Sequence, residues 1–524
     1  MQGPAITAAR ELGFFTVAVD GSSRAVHAGS ADSFEQIDLK DREGLEAFAR
    51  RLQSSPGGLG GIMTAGTDFS ASVAWTAQRL GLPGIPYETA LNASDKGRMR
   101  RLFREAGLPS PDFSIVSADD DPESFPLPAG FPLVVKPVDN MGGRGCRRVD
   151  CRAEFAEATA EAVAFSRSGR AIVEAYMEGP EFSVDAIVYK GEITICGLAD
   201  RHIFFPPFFI EMGHTMPTAF PKEQQREVLE TFTAAVRALG IADGDNVGAA
   251  KGDIKLTAKG AMIGEIAARL SGGYMSGWTY PYSSGVNPAR AAVLAAMGRK
   301  PDMLSPAKTW TSAERAFISI PGTVMSVNGT QAAGKIPGVQ DLFLRIQNGA
   351  KVGFPENNVS KCGNTVSAAP DRETAIAAAE SAARAVLIRL DPADGETGEF
   401  LEGVAGTAGA KKVQGFPPDA FALNRELLDL LEAMPETQKA KGKSPRLLAF
   451  PALESSSLKD WAGRSVPESL EAVRNLTELS LTETGGMSDN VGDETLLGRS
   501  FWAALVKGTY QGAAYYIDRL MPAD

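Results

Sequence analysis

Through its first ninety residues the chain alternates helix-length with strand-length segments, and this alternation constrains the fold more than any other feature. "ITAARELG" reads as a helix ending at Gly13, "FFTVAVD" as a strand, and "DREGLEAFARRL" as a second helix. "GGIMTAG" reads as a second strand and "DFSASVAWTAQRLG" as a third helix. Strands separated by helices of this length pair in parallel, because a parallel neighbour requires a crossover long enough to hold a helix. Such a sheet normally begins with a strand, yet a helix follows Met1 almost at once. The expectation is a sheet with its first strand absent or with an unusual edge.

The pattern then changes. "SDKGRMRRLFREAGLPSP" reads as a helix with Ser94 as N-cap, stopped by Gly107 and Pro109. Residues 112 to 270 are rich in strands: "FPLVVKPV" and "CRRVD" flank a glycine loop, and "AIVEAYM", "EFSVDAIVY" and "EITICGLAD" follow the helix "EFAEATAEAVAFSRSG". "RHIFFPPFFIEMGHTMP" reads as a long aromatic loop, "KEQQREVLETFTAAVRALG" as a helix, and "GDIKLTAKGAMIGEIAARL" as a hairpin. Short strands and a helix over "DRETAIAAAESAARAVLIRL" fill 300 to 392. Residues 400 to 445 look like linkers around a helix, and the last 80 read as mostly helical without an interpretable motif.

With 524 residues, the chain exceeds one core and suggests about three or four domains. Its 44% hydrophobic and 22% charged residues fit an ordinary globular protein. The formal net charge of -11 argues against a nucleic-acid partner. No apolar run approaches the roughly 18 residues of a membrane span. Cys146, Cys151, Cys196 and Cys362 lack metal-ligand spacing, so reduced thiols and a cytoplasmic location are expected.

Two segments carry chemistry. In "PLVVKPV" the strand period puts Lys136 between Val134 and Val138 on one face, where an ammonium needs an anionic partner or must snorkel to solvent. The "NMGGRG" loop beside it offers backbone N–H groups suited to phosphate, or is simply a flexible turn, and it matches neither common phosphate fingerprint. In the hairpin at 251 to 269, a three-residue "AKG" turn would set Asp253 directly opposite Glu265. Facing carboxylates repel unless they share a cation, and hard oxygens of this kind suit Mg²⁺ bound with nucleotide phosphates. The alternative is a solvated hairpin of alternating charge, shared with Lys251 and Lys255. Arg269 falls on the same face, roughly 13 to 14 Å farther along. Lys96, near the start of its helix, is placed for a phosphate or for a solvated face.

Taken in order, the helix lysine, "VVKP" with its glycine loop, "VEAYMEGPE" and "D-I-K…E-I-x-x-R" resemble the ATP-grasp superfamily from about residue 3 to 390. Because "LSGGY" follows Arg269, the nearest branch resembles the carboxylate–amine (L-amino acid and dipeptide) ligases; biotin-dependent carboxylases carry R-x-Q-V-E-H there. The resemblance implies an α/β and α+β multidomain ATP-grasp fold. Its parts would be a Rossmann-like N-terminal domain at 1–90 and an ATP-grasp domain at 91–300. A small α/β subdomain at 301–395 and a linker with a mostly helical extension at 396–524 would follow.

The resemblance also implies roles. Lys96 and Lys136 would contact ATP phosphates, beneath a flap of Asn140, Gly142, Gly143 and Gly145. Glu174, Ala175, Tyr176 and Met177 would hold adenine through their backbone, and Glu181 the ribose. Asp253 and Glu265 would bind Mg²⁺, with Mn²⁺ as a substitute, and Arg269 would be catalytic together with Lys136. Glu211, His214, Gly272 and Gly273 would meet the substrates, a small carboxylate and an amine, and a homodimer is an assembly open to such a protein. The implied reaction is amide formation through an acyl phosphate, releasing ADP and phosphate. An ATP-dependent carboxylase, a purine-type ligase or a nucleotide-binding protein impaired in catalysis are the rivals. Ala267 stands where the family usually has a metal-binding asparagine.

Overall fold

The structure, a computed structural model, describes residues 2–402, 421, 423–438, 445–454, 457–484 and 495–521. The chain divides into two compact units, Met1–Glu314 with Val366–Ala377, and Arg315–Thr365 with Ala378–Asp524.

At the start of the first unit, strand Val17–Asp20 pairs in parallel with Ser33–Gln36, flanked by helices Gly3–Glu11, Arg42–Gln53 and Ser70–Leu80. "GGIMTAG" does not form the expected strand; only Ala65 makes a bridge, to Leu270. An extended segment becomes a strand only where a neighbour completes its ladder. Helix Lys96–Glu105 is capped by Asp95, whose side chain accepts from Arg98 N. Ser94, the expected cap, instead donates its hydroxyl to Ala90 O at 2.7 Å, closing the preceding helix.

A small sheet follows, ordered Phe113–Ser117, Arg170–Ala175, Leu133–Pro137, Arg147–Val149, with helix Arg152–Phe165 packed on it. Within the first unit the larger sheet runs Gly260–Ala267, Val247–Thr257, Glu181–Tyr189, Glu192–Phe204, Ile210–Met216. Helix Lys222–Ala238 covers one face through Val228, Phe232 and Val236, against Phe182, Val184, Ile254 and Ile263. The expected aromatic loop over 201 to 217 is largely strand. Residues 201–204 continue the strand Glu192–Phe204, and Ile210–Met216 returns antiparallel to it.

In the second unit, strand Gly322–Asn328 lies between Lys351–Val352 and Leu387–Leu390. The helix expected through 390 stops at Ala385, and "LIRL" becomes a strand paired with Val324–Asn328. The C-terminal part is mainly helical among the described residues, with short parallel strands Pro445–Leu448, Thr482–Thr484 and Thr495–Leu497. Its core gathers Leu447, Leu470, Phe501, Trp502, Leu505 and Tyr510. No helix among the described residues is long and apolar enough to cross a membrane.

Candidate active site

Asp253 does face Glu265, though not through the turn that was expected. Thr257 pairs with Gly260, which leaves only Ala258 and Lys259 in the turn, and a bulge next to Asp253 restores the register. The extra residue is Gly264. A Cβ there would lie 2.8 Å from the Asp253 carbonyl oxygen, inside contact distance, so the bulge requires glycine.

Cations crowd these two carboxylates. Lys96 Nζ lies 3.3 Å from Glu265 Oε1. Burial alone would raise the Glu265 pKa, but Lys96, Lys251, Lys136 and Arg269 outweigh it and hold the carboxyl at about 2. Asp253 pairs with Lys251, with Arg201 Nη1 at 3.1 Å, and accepts from Ser183 Oγ at 3.3 Å. Among the described residues no cluster of three His, Cys, Asp or Glu side chains suits a metal. Ala267 can add no ligand. Two opposed hard oxygens nevertheless fit Mg²⁺, which takes its remaining ligands from phosphate and water.

A second row of charge crosses the sheet. Lys255 pairs with Glu181, Glu181 with Arg201, and Arg201 with His214, on four adjacent strands. Arg201 is a member of this charged row that the sequence reading did not single out. It binds Glu181, Glu211 (2.9 Å) and Asp253, and these three carboxylates override the effect of burial to hold its pKa well above the ordinary value. It therefore links residues expected to serve ribose, substrate and metal. The signal was an arginine ten residues beyond the Lys190-Gly191 turn, but a bulge at Asp185/Ala186 shifts the register by one.

Lys136 is anchored rather than free. Its Nζ lies 2.7 Å from Glu174 Oε2, while Arg100 Nε donates to Glu174 Oε1 at 2.8 Å. Burial would lower the Lys136 pKa and raise that of Glu174; the Glu174 carboxylate reverses the first, and Arg100 followed by Lys136 reverses the second. Lys96 Nζ also donates to Asn140 O at 2.8 Å, at the root of the glycine loop. Gly142, Gly143 and Gly145 all take left-handed φ, from +64° to +76°. Asn140 Oδ1 accepts from Met141 N and Arg144 Nε, so Arg144 serves the loop itself. Arg147 pairs with Glu157 and Glu161, and Arg148 lies 4.8 Å over the Tyr176 ring, which also stacks against Phe209.

Of the expected adenine contacts, Ala175 N donates to Asp112 O and Tyr176 N to Pro132 O, so both donors are already engaged. Met177 O accepts from Lys255 Nζ at 3.0 Å. At the other end, His214 Nδ1 lies 2.9 Å from Glu314 Oε2 and Nε2 lies 3.6 Å from Glu211. Gly273 has φ +58°, and a Cβ there would come 2.7 Å from Glu211 Oε1 and 3.0 Å from His214 Cε1. The adjoining loop, with Gly272, is pinned where Ser271 donates its N–H (2.8 Å) and hydroxyl to buried Asp185. Arg269 Nε donates to Thr67 O at 2.9 Å.

The structure thus brings together Lys96, Lys136, Glu174, Asp253, Glu265 and Arg269, and joins them through Arg201 to Glu181, Glu211 and His214. Residues 129–276 match the model of the ATP-grasp domain, and residues 316–391 that of the L-amino acid ligase C-terminal domain 2. Carnosine synthase 1 of Gallus gallus is 26% identical over 318 residues, which is 56% of this chain and 34% of that protein. The D-alanine–D-alanine ligase of Marinobacter nauticus is 34% identical over 131 residues, 24% of this chain and 39% of that protein. The chain thus spans well under half the length of these two relatives. The crystal structure of an L-amino acid ligase from Bacillus licheniformis superposes with a TM-score of 0.65 at 23% identity, covering 74% of this chain and 95% of that one.

Proposed function

We propose that the chain, whose residues 129–276 and 316–391 match the models of the ATP-grasp domain and the L-amino acid ligase C-terminal domain 2, joins a small carboxylate, such as an amino acid, to an amine. The observation that carries this reading is Glu265 facing Asp253, with Lys96 Nζ 3.3 Å from Glu265 and Lys251 paired to Asp253, while Lys136 and Arg269 add to the positive charge that holds the Glu265 pKa down. Phosphoryl transfer needs charge neutralisation and alignment more than covalent help.

A substrate carboxylate oxygen attacks the γ-phosphorus of ATP, ADP departs, and an acyl phosphate forms. The amine nitrogen then attacks the acyl carbon, phosphate leaves, and the ammonium proton is lost to give the amide. Lys96 and Lys136 bind phosphate oxygens under the 140–145 loop, and adenine lies against the segment ending at Met177, past the engaged N–H groups of Ala175 and Tyr176, beside Glu181 for the ribose. Asp253 and Glu265 would hold Mg²⁺ or Mn²⁺, which when bound neutralises the phosphate charge. Arg269 steadies the transferred phosphoryl group and the acyl phosphate. Glu211, His214, Gly272 and Gly273 receive the substrates. The chain acts in the cytoplasm, where ATP and free amino acids meet, alone or as a homodimer.

The test is phosphate release from ATP over a panel of amino-acid pairs, with a bicarbonate arm. One or more pairs should stimulate release and yield an amide. If ATP binds but no pair stimulates release, the ligase reading fails; release driven by bicarbonate alone would make the protein a carboxylase.

A further inference from the structure

Arg100, one turn beyond Lys96 on the helix Lys96–Glu105, has no part in the reaction just described, yet only 1% of its surface is exposed. Burying a guanidinium this fully is costly unless its partners are well placed. Its Nε donates to Glu174 Oε1 at 2.8 Å, and the other oxygen of that carboxylate holds Lys136. Its Nη2 donates to the carbonyl oxygen of Gly264 at 2.6 Å, at the bulge that turns Glu265 toward Asp253. Residues four apart share a helix face. Lys96 makes the parallel connection from that face, to Glu265 and to the Asn140 carbonyl. Met99 Sδ, between them, accepts from Ile266 N at 3.5 Å.

We propose that Arg100 is a positioning residue that sets the phosphate lysine Lys136 and the carboxylate hairpin in one frame. Through Glu174 it fixes the Lys136 ammonium; through Gly264 it fixes the carboxylate pair. The two arms are separable, because lysine can satisfy one acceptor of the guanidinium but lacks its fork. The proposal rests on reading the site as one for ATP and Mg²⁺.

The experiment measures ATP affinity by calorimetry and the Mg²⁺ concentration for half-maximal phosphate release, in wild type, Arg100→Lys and Arg100→Met. Circular dichroism and thermal melting verify folding. Arg100→Met should weaken ATP and raise the Mg²⁺ requirement, each by about 10- to 100-fold, the usual range for losing a residue that orients a ligand. Arg100→Lys should keep ATP affinity within about 3-fold, since Glu174 retains a cation, while its Mg²⁺ requirement still rises about 10-fold. A merely structural role would lower the folded, active fraction without moving the Mg²⁺ midpoint. Should Arg100→Met not fold, Arg100→Lys decides alone, and an unmoved Mg²⁺ midpoint there overturns the proposal. Wild-type protein that binds no ATP sinks the site reading itself, whereas wild-type binding with unshifted variants sinks only the role of Arg100.

Discussion

At the scale of single residues the site is held by charges that answer one another. Arg201 is the clearest case, because three carboxylates, Glu181, Glu211 and Asp253, converge on its one guanidinium. Removing one partner of a buried ionic set leaves the others uncompensated, at a cost of about 3–5 kcal/mol. Arg201→Met should lose about that much stability in urea titration; a loss under about 1 kcal/mol would mean the carboxylates find other cations. Glu265 makes a statement about pH. Its pKa falls from 4.5 to about 2 on folding, so its contribution is complete above pH 4.5 and is lost as pH drops toward 2. The stability gap between wild type and Glu265→Gln should therefore stay level from about pH 7 to 5 and close at lower pH. A gap that persists undiminished to pH 2 contradicts the role of these cations. Lys136, Asp253, Glu265 and Arg269 were legible because residue type and spacing expose them. Arg201 and Arg100 were not, since their meaning lies in partners 20 and 74 residues away.

At the scale of elements, hairpin 247–267 shows how a correct register can be expected for the wrong reason. The facing of Asp253 and Glu265 was readable from alternation and a short turn, but the turn holds two residues and the bulge at Gly264 supplies the offset. Gly264→Ala would force a methyl against the Asp253 carbonyl. It should cost about 1–3 kcal/mol and raise the Mg²⁺ requirement for activity; an alanine variant with unchanged stability and metal dependence would show the bulge to be dispensable. The segment 201–217 misled for a related reason. Its aromatics and paired prolines resemble a loop, yet the pairing of Arg201 with His214 and Asp200 with Thr215 makes strands of both flanks. Helix ends were equally contextual: Asp95 wins the cap because Ser94 is committed to Ala90 O.

For the molecule as a whole, several loose motifs in fixed order pointed to the fold better than any one of them, and the ATP-grasp match at 129–276 overlaps the stretch from Lys96 to Arg269 that carries them. What the C-terminal residues build was not readable. Their short parallel strands pair 445–448 with segments some 35 and 50 residues on, and no local pattern announces such pairing. In the proposed reaction a carboxylate is activated by phosphorylation before an amine displaces the phosphate, and one oxygen atom records that order. With a carboxylate substrate labelled by ¹⁸O and a productive amine, mass spectrometry of the released phosphate reads that atom directly. The acyl-phosphate route transfers one ¹⁸O to inorganic phosphate and forms ADP; unlabelled phosphate, or AMP with pyrophosphate, would contradict it.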